Sequence, residues 1–216
     1  MLLVKDSMQR EIVTLSPDET AATALALCRE RRIRHLPVLR GGRLVGIVSD
    51  RDLRSSTPAF GDPSRAAALQ RVLVEDVMAG EVITADPDDP IEQAANTMRE
   101  RKIGCLPVMQ REELIGIVTA TDVMEALVYL VGANEPGSRM EVAVPDRPGA
   151  LAGAAGVFGM CGINIVSAAM GATRDPKEAG GDRKRVVVFR VDAIDTNEVV
   201  GYLEEAGYSV LWPPKP

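Results

Sequence analysis

An α+β protein is predicted: two βαββα repeats packed as a pseudo-symmetric pair, followed by a C-terminal βαββαβ unit of a different kind. Three observations predict it. Val4–Arg54 lies over Val74–Met124 at a constant offset of 70 and without a gap. About 20 of the roughly 51 paired positions are identical, and internal self-similarity at a fixed offset decides architecture before local propensity does. Within each copy, apolar spacing alternates between the helical and the strand period. Beyond the breaker-rich stretch Gly132-Ala133-Asn134-Glu135-Pro136-Gly137 the pattern changes and no longer repeats.

The first repeat opens with a short strand, Ile12-Val13-Thr14-Leu15. Ser16-Pro17-Asp18-Glu19 then starts a helix, with Ser16 as cap, Pro17 in the first turn and Glu19 completing a capping box. Asp86-Pro87-Asp88-Asp89 holds the same place in the second repeat. Ala21, Ala24, Leu25 and Cys28, and again Ile91, Ala94, Ala95 and Met98, follow the i, i+3, i+4, i+7 spacing of one helix face. Arg29–Arg32 and Arg99–Lys102 close these helices with cations suited to a C-terminal dipole. Leu36–Leu39 and Leu44–Ser49 read as a hairpin across Gly41-Gly42, and Leu106–Met109 with Leu114–Thr119 repeats it. A second helix starts near Asp50 and near Ala120. Neither repeat can cover both faces of its own sheet, so the two are expected to pack together. Between them, Ser55–Pro63 reads as a loop and Arg65–Leu73 as a short helix.

The C-terminal segment reads as strand Arg139–Val144, helix Gly149–Met160, strands Ile163–Ala169 and Arg185–Val191, helix Thr196–Ala206 and strand Ser209–Trp212. That order is ferredoxin-like. Asp146 is placed to cap the first helix, Leu151, Ala154, Ala155 and Phe158 to form its buried stripe, and Gly162 to end it. Gly149, Gly153, Gly156 and Gly159 do not have dinucleotide spacing, and close helix–sheet packing explains them better. Gly171–Lys184, polar and glycine-rich, reads as a hairpin loop. The expected boundaries are repeat 1 over 1–56, a linker over 57–73, repeat 2 over 74–131, a linker over 132–138 and the last domain over 139–216.

Composition narrows the function. The 216 residues are 46% hydrophobic and only 3% aromatic, so the core is aliphatic. A net charge of −6 argues against nucleic acid, whose binding needs a basic surface. No apolar run approaches membrane-spanning length and the N-terminus lacks signal-peptide order, so a cytoplasmic protein without a membrane partner is expected. Cys28, Cys105 and Cys161 are scattered and His35 is the only histidine, which disfavours a disulfide framework or a metal site. Cys28 and Cys105 read as core thiols.

One chemical pattern occurs twice. Gly46-Ile47-Val48-Ser49-Asp50-Arg51-Asp52 pairs with Gly116-Ile117-Val118-Thr119-Ala120-Thr121-Asp122. The hydroxyl and the aspartate three residues on are a capping box at a strand-to-helix turn. They also suit a nucleotide. The glycines allow close approach of a ligand, the helix N-terminus favours phosphate, and a carboxylate accepts the paired hydroxyls of a ribose.

Two copies of G-h-h-[ST]-x-x-D, each behind an h-x-x-L-P-V strand, resemble a tandem pair of CBS domains, a Bateman module, from Val4 to about Leu127. The resemblance implies adenosine nucleotides (AMP, ADP or ATP), or S-adenosylmethionine, bound in clefts between the repeats. No cofactor is implied beyond Mg²⁺ as a companion should the ligand be ATP. It implies that Asp52 and Asp122 hold ribose hydroxyls, with Ser49 and Thr119 near the phosphate. Ile12, Val13, Thr14 and Ile33, with Val82, Ile83, Thr84 and Ile103, would enclose adenine. Arg51, Pro37 and Pro107 belong to the same implied set. Arg34 and His35 would face phosphate, where the second repeat has Gly104 and Cys105, so the two pockets are expected to differ. Asp146-Arg147-Pro148-Gly149-Ala150-Leu151 followed by Gly162-Ile163-Asn164-Ile165 resembles an ACT domain over Arg139–Pro214. It implies an amino acid held by Asp146, Gly149, Ala150 and Leu151 with Asn164 at an interface, although the loop also suits plain capping. The domain order resembles the acetoin utilisation B regulators, which implies acetoin or central carbon metabolism. The function expected is a non-catalytic ligand sensor, a homodimer acting on an unidentified protein. The alternatives are an S-adenosylmethionine sensor, a structural interaction module with vestigial pockets, and an enzyme, for which no nucleophile–base pair can be placed.

Overall fold

Only the Glu19 half of the capping box expected at the first helix is made, one turn early, while the Ser16 hydroxyl donates to Asp18. In the computed structural model, which describes residues 2–59, 61–174 and 183–214, the Ser16 N–H donates to Glu19 Oε2 at 2.6 Å. This closes a turn. Helix α2 (Ala21–Arg31) starts behind it, capped by Thr20, whose Oγ1 accepts from the Thr23 N–H at 3.2 Å. In the second repeat the Asp86 N–H donates to Asp89 Oδ2 at 3.0 Å, and α5 (Ile91–Arg101) starts after Pro90. The delay has a tertiary cause. The Ala21 N–H donates to the Val72 carbonyl at 2.9 Å and the Ile91 N–H to the Leu2 carbonyl at 3.1 Å, so each helix start is docked against a distant segment. Both helices bury most of the expected stripe: Ala21, Ala24 and Cys28 in α2, and Ile91, Ala94 and Met98 in α5, with Leu25 and Ala95 half-buried.

The hairpins follow. Strands β1 (His35–Arg40) and β2 (Arg43–Ser49) pair antiparallel from His35↔Ser49 to Arg40↔Arg43. Gly41 and Gly42, at φ 59° and 81°, supply the left-handed pair that a two-residue hairpin turn requires. Strands β3 (Cys105–Gln110) and β4 (Glu113–Thr119) repeat this, with Arg111 at φ 58° in place of the first glycine. Helices α3 (Asp50–Ser55) and α6 (Ala120–Leu130) leave the strand ends, and α4 (Arg65–Arg71) lies in the connection. The strands expected at Ile12–Leu15 and Val82–Thr84 do not form. Leu15 and Ala85 each make a single parallel bridge, to Val38 and Val108. β1 and β3 are already paired on their other edges. The turns at Pro17 and Pro87 follow at once, and proline has no N–H to continue a ladder.

The repeats exchange their leading segments. Helix α1 (Val4–Ser7) and Met8 belong in sequence to the first repeat, yet Val4 and Met8 are buried in the core of the second, with Leu106, Val108 and Val118. Val74, Val77 and Met78 open the second repeat in sequence, yet pack in the core of the first, with Leu36, Val38 and Val48. Isolated antiparallel bridges Gln9↔Ile117 and Ile47↔Ala79 fasten the exchange. This corrects the role expected of Gly46 and Gly116. A Cβ on Gly46 would lie 2.4 Å from Met78 Sδ, and one on Gly116 2.5 Å from Met8 Sδ. The glycines make room for methionines of the exchanged segments, not for a ligand. Gly46→Val is therefore expected to destabilise the protein by about 1–3 kcal/mol through overpacking, and Met78→Ala in the same chain to recover part of it. Urea midpoints of the two single variants and the double variant give the coupling; strictly additive losses would mean that the two side chains do not compete for space.

The chain divides into two compact units, residues 1–126 and 127–216. The second is a four-stranded antiparallel sheet of β5 (Ser138–Pro145), β6 (Ile165–Arg174), β7 (Lys184–Val191) and β8 (Ser209–Trp212) in the order β6-β7-β5-β8. With α7 (Ala150–Met160) and α8 (Asn197–Glu205) this is the ferredoxin-like βαββαβ order. Phe158 and Phe189 meet at the centre of its core with ring centroids 4.9 Å apart. Three expectations change. Asp146 does not cap α7; Gly149 does so at φ 82°, while Asp146 Oδ1 accepts from Arg185 Nε at 3.2 Å. The buried stripe of α7 is Ala150, Ala154, Val157 and Phe158, with Leu151 exposed. Gly153 sits against Tyr208, whereas Gly156 and Gly159 face open space, so helix packing does not explain those two. Residues 131–137 form a turn tied to the sheet: Ser167 Oγ donates to the Val131 carbonyl at 2.7 Å and Arg190 Nη2 to the Glu135 carbonyl at 3.1 Å. β6 runs to Arg174, and the rest of the expected loop, 175–182, lies outside the described residues.

Candidate functional site

Both repeated motifs close the same hydrogen-bonded box. The Ser49 N–H and Oγ–H donate to Asp52 Oδ2 at 3.0 and 2.6 Å, and the Asp52 N–H donates back to Ser49 Oγ at 3.2 Å. The Thr119 N–H and Oγ1–H donate to Asp122 Oδ2 at 2.7 Å each, and the Asp122 N–H donates to Thr119 Oγ1 at 3.4 Å. Capping therefore uses one oxygen of each carboxylate. The second oxygen distinguishes the copies. Asp122 Oδ1 accepts from Gln9 Nε2 at 2.9 Å, and Asp122 is buried, 6% exposed; Asp52 is exposed. A carboxylate offers about four lone-pair sites; Thr119 takes two and Gln9 one, so Asp122 keeps about one for a ligand.

Asp122 and Thr119 open into a cavity of about 450 Å³ within the first unit. Its walls come from both repeats. Ile12, Val13, Ile33 and Pro37 from the first and Ile117 from the second supply apolar surface. Arg32, Arg34 and His35 bring positive and polar groups to one part, and Thr119, Thr121, Asp122 and Glu125 line another from the start of α6. Gln9 and Glu11 complete it from the exchanged N-terminal segment. Eight residues singled out from the sequence thus share one cavity: Ile12, Val13, Ile33, Arg34, His35, Pro37, Thr119 and Asp122. Thr14 does not line it. Nor do Val82, Ile83, Thr84, Ile103 and Pro107 on the second repeat, or Ser49, Arg51 and Asp52. Arg32 and Arg34 of the first repeat thus line the same cavity as the aspartate of the second. Gln9, Glu11, Arg32, Ile117, Thr121 and Glu125 were not anticipated. Glu125 lies three residues after Asp122 and four after Thr121, so helical spacing sets it beside both, which sequence could have indicated. Gln9 comes from over a hundred residues away and carries no local signal.

His35 bridges the copies. Its ring covers Gly104: a Cβ there would lie 3.0 Å from both Cε1 and Nε2. Burial first, then the charge of Arg34, holds the imidazole below its ordinary pKa of 6.5, against the weaker pull of Asp50 and Asp52. His35 is thus neutral at physiological pH, and the cationic charge of this wall rests on Arg32 and Arg34. Below its ordinary pKa the unfolded chain protonates His35 while the folded chain resists. Stability is therefore expected to fall as pH drops through about 6.5, the ordinary histidine value. His35→Gln flattens that part of the profile; denaturation midpoints that keep the wild-type slope would assign it to other groups. Cys105, paired with Thr119 in the β3–β4 register, is buried, and burial pushes its thiol up to about 12. Cys28 is raised to about 11 by burial. Neither offers a thiolate near neutrality.

In the second unit, Asp146 and Leu151 line a cavity of about 190 Å³ with Val144, Pro148, Met170 and Arg185. Gly149 and Ala150, also expected there, do not line it, and Ala150 is buried in the core of the unit. Asn164 is elsewhere, its N–H donating to Asp192 Oδ1 at 2.9 Å. No helix among the described residues is long and apolar enough to cross a membrane.

The CBS domain model matches residues 4–57 and 74–129, and the ACT domain model residues 138–210. CBS domain-containing protein YhcV of Bacillus subtilis is 31% identical over 122 residues, which span 56% of this chain and 83% of that one. The structure of an acetoin utilization protein (AcuB) from Vibrio cholerae is 32% identical with a TM-score of 0.53, over 62% of this chain and 96% of that one. The CBS domain pair of protein MJ0100, solved with 5′-methylthioadenosine and S-adenosyl-L-methionine, is 27% identical with a TM-score of 0.51, over 62% and 99%. CBSX2, solved with AMP, is 25% identical with a TM-score of 0.52, over 60% and 99%. These matches fall on the exchanged repeats and the four-stranded unit already described. The chain belongs to the CBS domain family, with a tandem CBS pair followed by a C-terminal ACT domain.

Proposed function

We propose that the chain is a non-catalytic regulator that binds an adenosine nucleotide, AMP or a close relative, in the cavity between its CBS repeats. The observation that carries this reading is the convergence on one cavity of Asp122 and Thr119 with Arg34 and an apolar wall. Ribose meets the carboxylate, phosphate meets Arg34 and the N-terminus of α6, and adenine lies against Ile12, Val13 and Ile33. The volume is that of a small-molecule site. AMP in CBSX2 supports the ligand class. Both domains are regulatory modules, and the raised thiols and the lone, neutral His35 favour sensing over catalysis. A ligand regulates only if it binds one arrangement of the module better than another.

S-adenosylmethionine is the second reading. Glu11 and Glu125 line the same cavity and suit a sulfonium and an ammonium group. MJ0100 carries that ligand. Calorimetric titration of the full chain with AMP, ADP, ATP with Mg²⁺, and S-adenosylmethionine separates the two. Tightest binding of an adenine nucleotide supports the proposal, preference for S-adenosylmethionine selects the second reading, and binding of none leaves a structural module. For the ACT domain we propose an amino acid at the Asp146–Leu151 loop. The open edges of β6 and β8 and the exposed Leu127, Tyr129 and Leu130 favour a homodimer. A cytoplasmic protein acting on a separate target follows from this reading.

A further inference from the structure

Arginines gather in a second cavity, of about 500 Å³, on the outer side of the first repeat. Arg29, Arg32 and Arg34 reach it from the end of α2 and the turn beyond, Arg54 from α3 and Arg65 from α4. Asp50 is the one acid in the lining, and it is engaged by Arg54 at 3.5 Å. Arg65 donates to the Pro58 carbonyl. Among the described residues no carboxylate pairs with Arg29, Arg32 or Arg34. Five guanidiniums thus face one carboxylate in a chain whose net charge is −6, so overall composition does not account for the cluster.

Nor does the internal symmetry. The positions equivalent to Arg34 and Arg54 in the second repeat are Gly104 and Met124, and Arg65 belongs to the connection, which has no equivalent. The cluster is built on one side only, and α4 is what closes it. Leu25 and Leu69 give the cavity an apolar flank over buried Cys28, which lowers the local dielectric and strengthens charge-assisted bonds. Guanidinium forks match phosphoryl oxygens two at a time.

We propose that this cavity binds a compact multivalent oxyanion of the pyrophosphate class, distinct from the nucleotide in the cleft. Arg32, Ile33 and Arg34 line both cavities. The test therefore uses Arg29 and Arg65, which line this one alone, against Asp122, which lines only the cleft.

The full chain is titrated with inorganic pyrophosphate by calorimetry at two salt concentrations. One molecule per chain is expected, with affinity falling as salt rises. The double variant Arg29→Gln/Arg65→Gln is expected to weaken it at least tenfold while leaving AMP affinity unchanged, and Arg29→Lys/Arg65→Lys to restore part of it. Asp122→Ala is expected to weaken AMP and leave pyrophosphate as it was. Absence of pyrophosphate binding overturns the proposal. So does wild-type pyrophosphate affinity in the glutamine variant, or its loss in Asp122→Ala, which would place the anion in the cleft. Should the double variant not fold, Arg54→Gln is read in the same way. Failure of AMP to bind would refute the nucleotide reading alone, because the pyrophosphate arm is read without it.

Discussion

Asp122→Ala is expected to weaken AMP binding about ten- to a hundredfold, because on the proposed reading a hydrogen bond from a ribose hydroxyl to a charged acceptor is lost. The same change removes the cap of α6 and leaves Gln9 Nε2 without its acceptor, which costs a further ~1–2 kcal/mol of stability. Asp122→Asn separates the two effects. It keeps the shape and one carbonyl acceptor, so most of the cap survives while ribose binding drops about tenfold. Asp52→Ala is the contrast. Its carboxylate makes the same box with Ser49 but does not line the cavity, so it should lose only the cap, ~1 kcal/mol, and leave the affinity for AMP in the cleft intact. Calorimetric titration of the three variants checks this. Loss of AMP binding in Asp52→Ala with retention in Asp122→Ala would reverse the assignment.

Phe158→Ala is expected to cost about 3–5 kcal/mol, the range for truncating a fully buried aromatic side chain. Phe158 has no exposed surface and packs against the equally buried Phe189 in a tilted pair. Aliphatic neighbours such as Val142, Val157 and Leu203 cannot refill that volume. The loss should be confined to residues 127–216, with hydrogen exchange accelerated at the β5 and β7 amides and AMP affinity changed by less than about twofold. A loss under about 1 kcal/mol would mean that the core collapses around the missing ring.

The candidate site was only half legible in advance. The hydroxyl–aspartate boxes, the L-P-V strands and the contrast of Arg34-His35 with Gly104-Cys105 are local features, and each could be read from neighbouring residues. Their partnership was not. That Arg34 shares a cavity with Asp122, and not with the Asp52 of its own repeat, depends on how two hairpins face each other. The glycines show the limit of local inference most clearly. Gly46 and Gly116 were legible as positions where something comes close. Only the packing of Met78 and Met8 against them says what does.

The sequence by itself determined the repeat, most of the stripes of α2 and α5, the two hairpins with their turns and the order of elements in the C-terminal unit. All of these rest on interactions within a few residues or on hydrophobic periodicity, which backbone geometry imposes wherever the chain goes. Tertiary structure alone decided where the helices start, since Ala21 and Ile91 donate to carbonyls at Val72 and Leu2. It also reduced two expected strands to single bridges and exchanged the leading segments between the repeats. The reason is common to all three. A backbone N–H or a buried methionine takes whichever partner packing brings to it, and here that partner lies tens of residues away in the chain.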